Sequence, residues 1–178
     1  MLVHTSAMAT PDAPPRTQDD LGLDPARLLA PCACFNARSA ARAVTSLYDK
    51  TLEPTGLKIT QFAILAVIRM HGAVTMQQLA AELGLDPSTM SRTLRPLESQ
   101  DLVRTEPGAD RRVKELVLTG PGQRQFRECQ RLWQQAQDRL HDLIGDEVFQ
   151  RLVGDLATVT SRITGEAQGE DESRVRTD

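Results

Sequence analysis

Ser88, Thr89, Ser91, Arg92 and Arg95 gather three small hydroxyls and two guanidinium groups into one short stretch. Small hydroxyls permit close approach and bond phosphate or base edges, and an arginine fork matches guanine O6 and N7. Farther on, Asp110, Arg111 and Arg112 follow Glu106-Pro107-Gly108-Ala109, a run of turn-forming residues. Arginines on a narrow loop reach a minor groove or flanking phosphates. A third set is sulfur: Cys32 and Cys34 with one residue between them, and Cys129. Each set also has a plainer reading. The hydroxyls and arginines can be a helix cap with solvated charges, Asp110 can pair with an arginine to stiffen a turn, and the cysteines can be buried or idle.

Which reading holds depends on the elements that position these groups. Met90, Leu94 and Leu97 recur at i, i+4 and i+7. That spacing predicts a helix with Asp86 as N-cap and Pro87 at its first position, one stripe buried and the hydroxyls and arginines on the other faces. Pro96 removes the amide that would bond the Arg92 carbonyl and predicts a bend. Ahead of this helix, Gln77–Leu83 reads as a short helix closed by a turn at Gly84-Leu85. After it, Leu102–Thr105 and Val113–Leu118 are short aliphatic or β-branched runs that predict a β-hairpin around the turn. Two short helices, a tight turn and a hairpin describe a winged helix-turn-helix, expected over residues 59–119, whose second helix aims its N-terminal residues at a major groove.

Longer helices flank this centre. Between Pro31 and Pro54, Ala37, Ala40, Ala41, Val44, Leu47, Tyr48 and Leu52 keep helical spacing. Thr60 can cap the next helix, in which Phe62, Ile64, Leu65, Val67 and Ile68 predict burial on most sides before Gly72 closes it. Gly120-Pro121-Gly122 opens a helix carrying Phe126, Cys129, Leu132, Trp133, Ala136, Leu140 and Leu143, which Gly145-Asp146 ends. Val148, Phe149, Leu152, Val153, Leu156, Val159 and Ile163 give the last helix a broad apolar stripe. The predicted order is α-α-α-α-β-β-α-α, a mainly α fold with a small β-hairpin wing. Residues 31–58 and 120–165 carry apolar stripes too long for so small a centre, and a second copy of the chain would cover them.

Composition narrows the classes. A chain of 178 residues, 40% hydrophobic and 25% charged, makes one domain with tails rather than a large multidomain enzyme. Only 3% of residues are aromatic, which argues against stacking platforms for single-stranded nucleic acid. No apolar run nears the roughly 18 residues of a membrane span and no signal peptide opens the chain, so a cytoplasmic protein without a membrane partner is expected. Three cysteines, an odd number, suggest reduced thiols rather than a disulfide framework. His4, His71 and His141 are isolated, so neither a metal site nor a cofactor is expected. There is no G-x-S-x-G, H-E-x-x-H or P-loop, and no catalytic residue is assigned. Net charge is −3, but residues 166–178 hold five acidic side chains against two arginines, and residues 1–31 hold four against two. The body between them is therefore basic, and both ends, taken as residues 1–30 and 166–178, read as mobile acidic tails.

The stretch Asp110-Arg111-Arg112-Val113-Lys114-Glu115-Leu116-Val117-Leu118-Thr119-Gly120-Pro121-Gly122 resembles the wing signature of MarR-family transcriptional regulators, D-x-R-x-x-x-L-x-L-T-x-x-G. Ser88 to Glu98, with Leu102-Val103-Arg104 after it, is similar to that family's recognition helix and first wing strand. The resemblance covers roughly residues 32–165. It implies an obligate homodimer intertwined through its first and last two helices, two winged domains reading half-sites of a pseudo-palindrome in double-stranded DNA, and a repressor released by a small ligand such as a phenolic anion. By position it puts Ser88, Thr89, Ser91, Arg92 and Arg95 in the major groove and Arg111 and Arg112 on the wing, with Asp110 structural.

Sulfur offers another input. Cys32 and Cys34 open the first long helix, where orphan amides and the helix dipole favour thiolate. Two residues apart on a helix they stand about 200° apart, so a bridge to another segment is easier than a direct disulfide. Cys34-Phe35 followed by Arg42, Thr45 and Tyr48 resembles the first helix of the family's peroxide-sensing branch, although that branch usually has a tyrosine where this chain has Arg38. Cys34, Cys32, Cys129 and Tyr48 are therefore candidate members of an oxidant-sensing site, a metalloid site on Cys32 and Cys34 is an alternative, and buried or idle cysteines are the plain reading. A winged-helix module used only for protein contacts is the alternative to DNA binding.

Overall fold

The structure, a computed structural model, describes residues 28–175, with side chains to residue 165. Most of the expected tail at 1–30 lies outside the described residues, as do the side chains of 166–178. The described residues up to Ala40 and those from Ala41 onward fall into two compact units. Helix α1, Ala33–Leu52, begins in the first and ends in the second. It starts two residues after Pro31, where Asn36 Nδ2 donates to the Ala30 and Cys32 carbonyls, each at 2.9 Å. A 3-10 turn, Glu53–Thr55, follows it.

In the second unit, α2 is Ile59–His71, β1 Ala73–Thr75, α3 Met76–Glu82, α4 Pro87–Ser99, β2 Val103–Pro107, β3 Lys114–Leu118, α5 Gly120–Ile144 and α6 Asp146–Val175. Helix periodicity places these helices, and three details differ. Helix α2 starts one residue before Thr60, which therefore cannot cap it; Gln61 instead reaches back to accept the Lys58 amide at 2.9 Å. The hairpin gains a third strand, giving the order β1-β3-β2 with every pair antiparallel. Val74 opposite Leu116 is its buried pair, and three residues after Gly72 are too few to display alternation. Helix α6 runs to Val175 rather than stopping near 165, because Glu166, Ala167 and Gln168 are good helix formers that extend it beyond its apolar stripe.

The main core gathers α2, α3, α4, the sheet and the start of α5. Leu52, Ile64, Leu65, Ile68, Leu79, Met90, Leu94 and Leu97 are at most 1% exposed there. Phe62 stacks on Phe126 with ring centroids 5.6 Å apart. A smaller cluster joins Tyr48, Ala136, Leu140 and Phe149 where α1, α5 and α6 meet. Among the described residues no helix is long and apolar enough to cross a membrane.

Candidate nucleic-acid interface

Helix α4 owes its start to Asp86. The residue is extended, and its Oδ1 accepts the amides of Ser88 at 3.0 Å and Thr89 at 2.9 Å. The Ser88 hydroxyl donates to the same oxygen at 2.5 Å. These bonds, the Ser88 and Thr89 side chains foremost, hold the Asp86 carboxyl far below the usual carboxylate range. An anion thus sits permanently at the positive end of the α4 dipole. Of the two readings of Ser88, the cap accounts for its hydroxyl hydrogen, while the side chain itself stays exposed.

Met90, Leu94 and Leu97 seal the buried stripe of α4, so its other faces are fixed by elimination. Thr89 and Ser91 are half-buried, and Arg92 and Arg95 are exposed. Arg92 Nη2 donates to Thr89 Oγ1 at 3.3 Å, which turns its guanidinium back toward the helix N-terminus. Arg95 takes part in none of the ion pairs among the described residues. The helix continues through Pro96 to Ser99.

On the wing, Asp110 acts through backbone. Its Oδ1 accepts the Arg112 amide at 2.9 Å, its carbonyl accepts the Val113 amide at 2.8 Å, and the Val113 carbonyl accepts the Gly108 amide at 2.8 Å. The turn is stiffened without using a guanidinium, and both Arg111 and Arg112 remain exposed. Wing and helix are tied together: Thr105 Oγ1 on β2 donates to Glu98 Oε1 on α4 at 3.2 Å. A second tie lies at the base of the wing. The Thr119 hydroxyl donates to the Asp101 carbonyl at 2.5 Å and accepts the Gly122 amide at 2.9 Å, capping α5 while anchoring it to the end of α4. A Cβ on Gly122 would stand 1.9 Å from the Leu102 carbonyl oxygen, so only glycine allows this approach. The L-T-x-x-G part of the wing signature is thereby a joint rather than a contact surface.

The sulfur candidates separate. In the first unit Cys34 is exposed and Cys32 half-buried. In the second, Cys129 is fully buried in the main core, and burial pushes its thiol up from the ordinary value. A thiol so placed is a small core side chain with little thiolate. Tyr48 is buried, its hydroxyl donates to Gln137 Oε1 on α5, and burial raises its phenol. Among the described residues no group of three or more His, Cys, Asp and Glu side chains comes together to hold a metal ion.

Comparison with known proteins bears on the same segment. The MarR family model matches residues 55–113, from the end of the 3-10 turn to the wing tip. The M. tuberculosis transcriptional regulator MosR, solved in complex with DNA, is 35% identical; the alignment covers 74% of this chain and 98% of that one, with a TM-score of 0.63. The chain belongs to the MarR family. Among curated relatives, the HTH-type transcriptional regulator YwoH of Bacillus subtilis is 30% identical over 89 residues, half of this chain and 65% of YwoH. The HTH-type transcriptional repressor MdtR of the same organism is 31% identical over 80 residues, 44% of this chain and 52% of MdtR. The chain thus spans between half and two thirds of the curated relatives it matches, and all three proteins are named as transcriptional regulators rather than enzymes. In this MarR-family chain sequence reasoning passed over Arg104 and Lys114. Both are exposed on the wing strands, and Arg104 Nε is held 2.6 Å from Glu106 Oε1. Their signal was charge on a strand, which reads equally well as ordinary solvation.

Proposed function

We propose that the chain is a sequence-specific, double-stranded-DNA-binding transcriptional regulator, acting as a homodimeric repressor on a pseudo-palindromic operator. The observation that carries this is the pairing of a sealed apolar stripe on α4 with exposed Arg92 and Arg95, braced by Glu98 to a wing that presents Arg111 and Arg112. An α-helix presented this way suits a major groove, and arginines on a narrow wing suit a minor groove or its phosphates. Ser88, Thr89 and Ser91 complete the groove-facing set. That MosR was solved with DNA and MdtR is named a repressor supports the same reading. Exposed Val153, Leu156, Val159 and Ile163 on α6 support the homodimer, since a second copy removes them from water.

Release from the operator is assigned to a small ligand or to thiol oxidation. An open cavity of about 810 Å3 between α1 and the start of α2, lined by Arg42, Lys50 and Lys58 but also by Asp49 and Glu53, has room for a small polar ligand that meets both cations and carboxylates. Exposed Cys34 supports the oxidant arm. The experiment maps binding sites around the protein's own gene, then compares affinity for the mapped duplex with affinity for random duplex across salt. Preference by on the order of a thousandfold, with a steep salt slope, is expected. Equal affinity for both duplexes refutes the reading. Stoichiometric organic hydroperoxide then tests the thiol input: weakened operator binding that disappears in Cys34→Ser selects the thiol, and unchanged binding, or an equal change in Cys34→Ser, removes it.

A further inference from the structure

Helix α2 begins the domain that holds α3 and α4, yet its N-cap position is filled by Lys58, whose ammonium cannot accept from the orphan amides there. The acceptor comes from the preceding helix. Asp49, on the last turn of α1, accepts the Ile59 amide through Oδ1 at 2.8 Å. Its Oδ2 lies 3.5 Å from Lys58 Nζ. The carboxylate is 22% exposed and the lysine 67%, so the amide bond carries the contact and the screened ion pair adds little. The rest of the joint is stiff. Leu52 and Leu57 are fully buried on either side of the 3-10 turn, and the Thr55 carbonyl accepts Gln125 Nε2 of α5 at 2.8 Å. A tilt of α1 therefore passes to α2 through this carboxylate, the short pinned turn and the packing of Ile59 against the Tyr48 cluster.

We infer that Asp49 is a positioning residue that fixes the angle between α1 and the winged domain, and with it the spacing of the two copies of α4 in the homodimeric regulator proposed above, on which this step rests. Asp49 touches no DNA in this role. Without it each head still fits its own half-site, but the second head arrives misplaced and its effective concentration falls.

The test uses the full chain carrying A109C for spin labels, with C32S and C34S removing the accessible native thiols. The readouts are the distance distribution between the two wing tips of a dimer, and affinity for the mapped operator against an isolated half-site duplex. Asp49→Ala is expected to broaden the distribution and to lower operator affinity on the order of tenfold, with less than about a twofold change on the half-site. Asp49→Asn, which keeps the acceptor for the Ile59 amide, is expected to restore both. Asp49→Ser, too short to reach that amide, replaces Asp49→Ala should the latter fail to fold. An unchanged distribution in either variant, equal losses on the two duplexes, or no rescue by asparagine overturns the assignment. Failure of the unmutated protein to prefer any duplex sinks the regulator reading alone, and the distance distribution then decides the role of Asp49. Absence of any distance between copies overturns both.

Discussion

Arginines differ in what they can read, and the two sets here are held differently. Arg92 is drawn back to Thr89 on a helix whose depth is set by a buried stripe, which suits a fixed fork on a base edge. Arg92→Ala should therefore cost about 1–3 kcal/mol on the operator and little on random duplex. Arg111 stands on a turn locked through backbone, with its guanidinium outside that lock. Arg111→Ala should weaken both duplexes alike and lower the salt slope by about one, as measured by titration at several ionic strengths. Asp86 gives a pH prediction. Its folded pKa is lowered, so its contribution to stability is full above the unfolded carboxylate value of about 3.9 and fades as pH falls through and below it. The Tm difference between the unmutated protein and Asp86→Ala should stay flat from about pH 6 to 8 and shrink toward about pH 3. A difference that grows on acidification would contradict the cap. All these residues were legible in the sequence because each belongs to a local pattern. The bond from Ser88 to Asp86 was not, since the same side chain serves a cap or a groove equally well until distances are known.

Elements were legible wherever burial repeats with a helical period, and less so where long-range contacts decide. Met90, Leu94 and Leu97 announced α4, whereas β1 is defined only by its pairing with β3 and has no period of its own. The start of α2 likewise depends on a carboxylate ten residues back, outside any local capping rule. The joint between the wing and α5 joins both kinds of information: Thr119 and Gly122 were visible as a helix start, but the reason for the glycine is the Leu102 carbonyl that a Cβ would meet at 1.9 Å. Gly122→Ala must push α5 away from the end of α4 or distort the backbone. A loss of about 1–3 kcal/mol or more is expected by thermal or urea unfolding. Thr119→Val removes the hydroxyl that links the same two elements and should move stability the same way, with Thr119→Ser restoring most of it. If Gly122→Ala unfolds at the unmutated midpoint, the close approach is wrong.

At the scale of the whole molecule the deciding quantity is apolar surface that one copy leaves in water. Val148, Val153, Leu156, Val159 and Ile163 are 44–63% exposed along α6, spaced so that most fall on one side of the helix. A row of this length is costly to leave bare at roughly 25 cal/mol per Å2 of apolar surface, and among the described residues it stays exposed. Sequence alone pointed to a second copy because the stripe exceeded what the centre could bury, and the exposure of these residues agrees with that reasoning. The consequence for DNA is direct. In the homodimer proposed above, two α4 helices would address two half-sites only while the copies are joined, and the second contact would gain its strength from effective concentration rather than from new bonds. Replacing Leu156 and Val159 together by glutamate puts two charges into the row without touching the core that holds α4. Sedimentation should then show single chains at micromolar concentration, with helical content by circular dichroism retained and the unfolding midpoint lowered by the stability that association supplies. Operator affinity should fall by about a hundredfold or more, toward that of an isolated half-site. A double variant that still sediments as a dimer would move the interface away from α6, and one that separates yet keeps full operator affinity would mean that a single copy suffices to read the site.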